Sequence, residues 1–385
     1  MNNFNRIYMP DTVCGRGSLS FITTLGKKKV AVVGFMDSVE EMVKDLFKES
    51  DTEVLYVGTI SREPYISDLM ELVPKVQTFA PDMIVGIGGG SVMDICKGLQ
   101  IFYEYPEMTF EDTLKPFCLP ELGIKCDLVL VPTTSGTGSE VSSAAVFIDK
   151  ETKVKGLILS NNMIPKYTIL DSTFTDRLPA SVQIATGLDA MCHAIEAMTA
   201  CNCCSYVRAI AMQSALDIIE NLPIAVSESS TEEEKIAAKE KLHIAASLAG
   251  VSITNAFTGI CHSYDHPGPT FNIPHGICCG ILLPNAIEII GAHPVFTDIA
   301  GRLGISGTPE EKAVGFADYL RELNRKLKVA TSFKEYGIDR EEYMSKIDFW
   351  AEISLNGLAT KMSPANMDLE KGRKFYIAAY EGKYE

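Results

Sequence analysis

Short, wholly apolar runs alternate with amphipathic stretches through the first half of the chain. Lys29-Val-Ala-Val-Val-Gly34 precedes a stretch in which Val39, Met42, Val43 and Leu46 recur every three to four residues. Glu53-Val-Leu-Tyr-Val57 precedes another, Tyr65 to Phe79, with Leu69, Leu72 and Val76 on one side. Met83-Ile-Val-Gly-Ile87, a glycine cluster, a helical stretch to about Tyr103, Leu128-Val-Leu-Val131 and Thr168-Ile-Leu-Asp171 continue the series. Strands that are apolar throughout are buried on both faces, so this pattern predicts a parallel sheet between layers of helix. After Leu178-Pro179 the period changes. Ile184, Leu188, Met191, Ile195 and Met198 follow helical spacing, and Ser230-Thr-Glu-Glu-Glu234 opens a helix reaching about Ala249. The expected organisation is an α/β domain over residues 1–179 and an all-α domain over residues 180–385, with the cleft between them as the natural ligand site.

Two loops at predicted strand ends suit a nucleotide. Gly86-Ile-Gly-Gly-Gly-Ser91 opens a helix containing Asp94 and Lys97. Glycines let backbone amides approach a pyrophosphate, and a helix N-terminus supplies partial positive charge. The run is not the usual dinucleotide fingerprint, because Ser91 stands where the last glycine would be and the turn follows the third strand. Pro132-Thr-Thr-Ser-Gly-Thr-Gly-Ser-Glu140 follows another strand and is dense in hydroxyl and backbone donors.

The chain has six histidines, and their spacing points to a cation. Asp189 and His193 are i and i+4 in a predicted helix, which brings them onto one face with Cβ atoms about 5–6 Å apart. Glu196 is suited to accept from a ligand imidazole's second nitrogen. A second cluster contains His262 and His266, also i and i+4, with Pro267 ending or kinking that helix; His275 follows in Pro274-His-Gly276. One carboxylate and three imidazoles satisfy Fe2+ or Zn2+ and leave a position for a substrate oxygen. Cys201, Cys203 and Cys204, and the adjacent Cys278 and Cys279, lack a matching zinc element and are expected to be ordinary thiols.

Composition narrows the class. A formal charge of −15 and a pI near 5.0 argue against nucleic acid as a partner. No run of about 18 uncharged apolar residues and no apolar leader appear, so a membrane is not expected either. Eleven cysteines in such a chain fit reduced thiols and a cytoplasmic location.

At Gly88-Gly-Gly-Ser-Val-Met-Asp-Ile-Cys-Lys97, Pro132 to Glu140, Ala185-Thr-Gly-Leu-Asp-Ala-Met-Cys-His-Ala-Ile-Glu196 and the His262/His266/His275 segment, the chain resembles the iron-containing (group III) alcohol dehydrogenases. The similarity runs from about Lys29 to the last helix. It implies a dehydroquinate synthase-like fold, with an N-terminal dinucleotide-binding domain and a C-terminal metal-binding domain. It further implies Asp189, His193, His262 and His275 as metal ligands, and His266 as a catalytic histidine near the nicotinamide. Gly88, Gly89, Gly90, Ser91 and Asp94 would meet the pyrophosphate; Thr133, Thr134, Thr137 and Lys155 would line the cofactor. The implied cofactors are NAD or NADP with Fe2+, Zn2+ being the alternative; the implied partners are a small alcohol or aldehyde and a second subunit in a homodimer.

Two departures matter. The loop from His266 to His275 is one residue shorter than in lactaldehyde reductase-like members. Where NAD-preferring members carry an aspartate after the first strand, this chain has Gly34 or Phe35; Asp37, slightly later, is the candidate cofactor-binding carboxylate, and NADP stays open. The rival function is an NAD- and metal-using lyase or cyclase of the dehydroquinate synthase type, whose first ligand is typically Glu rather than Asp189. A nucleotide-binding protein without catalysis is the third.

Overall fold

A computed structural model of the chain describes residues 6–151 and 154–384. Met1–Asn5, part of the N-terminal stretch considered above, lies outside them. Two compact units divide the chain, Met1–Leu178 and Pro179–Glu385.

The first unit contains β1 (Asp11–Cys14), β2 (Lys29–Gly34), β3 (Glu53–Thr59), β4 (Met83–Gly88) and β5 (Asp127–Pro132). An antiparallel hairpin of β6 (Ala144–Ile148) and β7 (Lys155–Leu159) follows, and then β8 (Tyr167–Leu170). Helices α1 (Ser38–Phe47), α2 (Ile66–Phe79) and α3 (Gly90–Glu104) link consecutive strands from β2 to β5, with the one-turn α4 (Phe110–Thr113) after α3. Six strands form one parallel sheet in the order β1-β8-β5-β4-β2-β3. Alternation along each strand sends neighbours to opposite faces. Ala31, Val33, Ile84 and Leu130 join Leu69 of α2 and Leu99 of α3 in one core, while Val30, Val32, Val85 and Val131 join Val39 and Val43 of α1 in the other. The continuous apolar runs in the sequence are the sum of these two alternations.

The sheet order sets the position of the turns. From β2 the chain moves outward to β3, then returns past β2 to β4 and β5. The order therefore reverses between β2 and β4, whose C-terminal residues pair Val33 with Gly86 and Gly34 with Ile87. In open α/β sheets, ligands bind beyond the carboxyl ends of strands at such a reversal.

The second unit is helical: α5 (Ala180–Thr199), α6 (Ser205–Val226), α7 (Glu232–Asn255), α8 (Ile260–Ser263), α9 (Pro267–Phe271) and α10 (His275–Ile290) lead to further helices ending with Leu369–Glu381. The expected class, a parallel α/β unit followed by an all-α unit, is the one observed. Thr231 and Glu234 form a reciprocal capping box at the start of α7, as the acid-rich turn predicts. By length and composition α6 could cross a bilayer. It carries Arg208, Asp217 and Glu220, however, and packs against α5 and α7 as a core helix.

One expectation is corrected here. His262 and His266 do not share a helix. α8 stops at Ser263, and Pro267, with no N–H and a fixed φ, starts α9 at its first position with His266 as the N-cap. Tyr264 and Asp265 form the turn between.

Candidate functional site

Asp189 and His193 lie on α5, which is buried on every side from Gly187 to Thr199. A helix buried all round cannot leave these polar atoms to water, so their partners must come from neighbouring elements. They come from α8 and α10. His262 Nε2 and His275 Nε2 each approach Asp189 Oδ1 to 3.4 Å, and His193 Nε2 approaches the same oxygen to 3.6 Å. The His193 and His262 rings stack with centroids 4.6 Å apart. Gly276 allows α10 to come this close, because a Cβ there would stand 1.8 Å from the carbonyl oxygen of Ala185 on α5.

Carboxylates behind the ring hold two of the imidazoles. Glu196 accepts from His262 Nδ1 and also from the Cys261 backbone N–H at 2.6 Å. Asp265 Oδ2 lies 2.8 Å from His275 Nδ1. With Nδ1 held in this way, both rings turn Nε2 inward toward Asp189 Oδ1. Glu196 matches its expected role. Asp265 was not anticipated by the spacing argument, although a carboxylate within reach of each clustered histidine was the signal to look for. Cys279 was also missed. It is i+4 from His275, and Asp189, His262, His275 and Cys279 each offer a donor atom within 4.8 Å of the others.

The electrostatics call for positive charge at the centre. Burial lowers the His193 pKa to about 4, which keeps its ring neutral. Burial also pushes His262 down, but the facing carboxylates of Glu196 and Asp189 outweigh it and carry the pKa well above its ordinary range. Asp189 Oδ1 and His262 Nε2 are buried without a hydrogen-bond partner. Four ligands about 2.1 Å from one cation in a tetrahedron stand about 3.4 Å from one another, which is close to the 3.4–3.6 Å between Asp189 Oδ1 and the three imidazole nitrogens. These residues fit a divalent cation.

In the first unit, β4 and β5 pair Gly88 with Pro132, so the two loops singled out from the sequence start side by side. Thr133 N continues the ladder to Gly88 O at 3.0 Å. Cβ atoms built on Gly89 and Gly90 would meet Thr134 at 3.7 Å and Thr137 at 3.3 Å. Thr134 and Thr137 are half-buried against this turn, and Thr133 is buried. Gly89 is the N-cap of α3 and supplies no side-chain acceptor, leaving first-turn N–H groups at Gly90 and Ser91 for an anion.

Deeper in α3, Asp94 accepts from Ser139 Oγ at 2.7 Å and from Val146 N at 3.0 Å. Buried Lys97 donates to Ser142 O at 2.9 Å and to Ala144 O at 2.6 Å. Burial lowers its pKa to about 8. Together they bind the hydroxyl-rich loop and β6 to the helix that carries the glycine turn. Asp37 is exposed at the start of α1 and accepts from Thr59 Oγ1 at 2.5 Å. Lys155 is exposed on β7, opposite Ile148. His266 is half-buried, and its carbonyl accepts from Thr270 Oγ1 at 2.7 Å.

Comparison with known proteins agrees with both halves of this description. The family model described as iron-containing alcohol dehydrogenase matches residues 10–172, and the C-terminal model of the Fe-containing alcohol dehydrogenase family matches residues 183–380. Over 385 residues the chain is 33% identical to an NADPH-dependent butanol dehydrogenase of Clostridium saccharobutylicum, covering 97% of each. It is 32% identical over 388 residues to an alcohol dehydrogenase of Thermococcus barophilus, covering 96% of this chain and 97% of the other. The structure of an iron-containing alcohol dehydrogenase from Thermococcus thioreducens matches with a TM-score of 0.88 at 30% identity, over 99% of this chain and 100% of that one. The lyase alternative is not favoured by these matches. The chain belongs to the iron-containing alcohol dehydrogenase family, as a metal-dependent, NAD(P)-linked oxidoreductase that interconverts alcohols and aldehydes.

Proposed function

We propose that Asp189, His193, His262 and His275 hold the iron, that Gly88, Gly89, Gly90 and Ser91 receive the cofactor pyrophosphate, and that the enzyme reduces short linear aldehydes with NADPH. The observation that carries this is the convergence of three Nε2 atoms on one buried Asp189 oxygen. When bound, the iron supplies Lewis acidity toward the substrate oxygen, and the nicotinamide gives or takes the hydride.

The chain's own residues do the rest. Asp189 contributes the single negative charge among the four donors, so the centre keeps net positive charge. Glu196 and Asp265 hold the His262 and His275 rings with Nε2 inward. His266 carries the proton at an imidazole nitrogen, delivering it in aldehyde reduction and accepting it in alcohol oxidation. Thr134 and Thr137 flank the glycine turn, while Asp94 and Lys97 hold the second loop from behind rather than touching phosphate. Thr133 steadies that loop through the sheet, and Lys155 on the hairpin lines the cofactor.

NADPH is favoured because Gly34 and Phe35 end β2 without a carboxylate, and Asp37 is already engaged by Thr59. A relative at 33% identity is named for NADPH and butanol. Zn2+ is the competing metal, since the same ligands accept it. The exposed edge strand β1 suits pairing with a second copy in a homodimer. Eleven unpaired thiols suit a reducing cytoplasm.

The test is an aldehyde series, followed by cofactor absorbance with NADPH and NADH, on protein loaded anaerobically with Fe2+ or Zn2+. Asp189→Ala should lose metal and turnover together. His266→Ala should keep metal and turn over poorly. Full activity after metal removal would sink the reading.

A further inference from the structure

Cys279 stands at the metal centre, yet none of the four ligand roles proposed above is assigned to it. It follows His275 by one helical turn on α10, so both side chains lie on the same face. Its Sγ is 3.8 Å from His275 Nε2 and 4.0 Å from Nδ1. It is fully buried, and its sulfur lies within 4.8 Å of the donor atoms of Asp189 and His262 as well. A sulfur and an imidazole nitrogen bound to one tetrahedral cation stand about 3.6 Å apart. Asp189 Oδ1 and His262 Nε2, independently, are buried atoms without hydrogen-bond partners in this same cluster.

We propose that Cys279 is a further donor to the centre, giving this chain a sulfur ligand that recruits thiophilic cations such as zinc, cobalt or cadmium. The proposal rests on Asp189, His262 and His275 being metal ligands. It adds that the chain offers two overlapping donor sets. Asp189, His193, His262 and His275 present only oxygen and nitrogen. Asp189, His262, His275 and Cys279 include one thiolate, the thiol proton leaving to solvent as the sulfur–metal bond forms. Soft thiolate favours zinc and cadmium over hard manganese, whereas the first set discriminates less. Adjacent Cys278 does not share this position: its sulfur lies 3.6 Å from the Asp265 carbonyl.

The experiment is anaerobic titration of the full-length apoprotein with Co2+ alone, followed by absorption spectroscopy. Wild type should develop visible ligand-field bands together with a near-ultraviolet sulfur-to-cobalt charge-transfer band. Cys279→Ser and Cys279→Ala should keep the visible bands and lose the charge-transfer band, while Cys278→Ser keeps both. Cadmium affinity should fall on the order of tenfold or more in Cys279→Ser, with manganese affinity unchanged. Visible bands without a charge-transfer band in wild type would overturn the role of Cys279 and leave the four-ligand centre standing. A charge-transfer band that survives in both Cys279 variants would overturn it equally. Absence of all cobalt bands would remove the centre itself, and this proposal with it.

Discussion

Glu196 on α5 accepts from His262 Nδ1 on α8, and this bond turns His262 Nε2 onto Asp189 at 3.4 Å. The carboxylate thereby fixes the tautomer and the direction of one imidazole. Burial pushes Glu196 up, but the His262 charge and hydrogen bond outweigh it and hold the carboxyl below its ordinary range. Glu196→Gln keeps an oxygen for the Cys261 N–H and removes the charge. It is expected to fold normally and to bind iron or zinc roughly 10–100-fold more weakly. Chelator competition measures this, and unchanged affinity would show that His262 needs no partner.

Asp265 does the same for His275 under different conditions. The His275 side chain is 46% exposed, against 12% for His262, so less packing restrains its ring. Asp265→Asn should therefore speed metal loss to an external chelator more than it changes equilibrium content. Asp265→Glu, with a longer reach to Nδ1, should restore part of the wild-type rate. Equal loss rates in all three proteins would remove Asp265 from the site.

The sequence made the central strands legible because β2, β4 and β5 lack a polar face, and the boundaries of β2 were read without error. β1 was invisible: three of its four residues, Asp11-Thr12-Val13-Cys14, are exposed at a sheet edge, and no apolar period marks them. The β6–β7 hairpin was hidden for a similar reason, with Gly156 and exposed Leu157 breaking the alternation in β7. Helical spacing brought Asp189 and His193 together correctly. Applied to histidines alone, it paired His262 with His266 across a helix end and passed over His275 with Cys279, where the rule holds. What spacing could not supply was tertiary convergence, since α10 reaches α5 only because residue 276 has no side chain.

The glycine turn separates a structural role from the proposed binding role. A Cβ on Gly88 would meet Val92 Cγ2 at 2.4 Å, whereas one on Gly89 would meet nothing closer than Thr134 Oγ1 at 3.7 Å. Gly88→Ala should lower stability by about 1–3 kcal/mol through overpacking. Gly89→Ala should leave the melting temperature near wild type and raise the cofactor KM, because its methyl group would stand where the pyrophosphate is proposed to approach the helix N-terminus. Thermal melts and cofactor titrations on the two variants separate these effects. A normal KM in Gly89→Ala would move the phosphate elsewhere.

Asp127, at the start of β5, gives the first unit a definable response to acid. Its carboxylate lies 3.0 Å from Lys166 Nζ and 2.6 Å from Lys27 Nζ, with its side chain 9% exposed. Burial raises its pKa, but hydrogen bonds and charge from the two lysines outweigh this and hold it below the ordinary value. Lys166 is shifted upward, chiefly by its bond to Asp127. A depressed carboxyl pKa contributes stability that is fully present above the unfolded value, about 3.9, and is lost as pH falls through the folded value. The raised Lys166 pKa contributes below the ordinary lysine value and is lost only in strong alkali. The pair is therefore intact across the neutral range, and only its acid limb is accessible in ordinary buffers. Asp127→Asn should cost about 1–3 kcal/mol near neutral pH, and the gap from wild type should narrow as pH falls below about 4. Urea midpoints measured across that range decide the matter: a gap that stays constant into acid would mean that Asp127 acts through shape and hydrogen bonding, not charge.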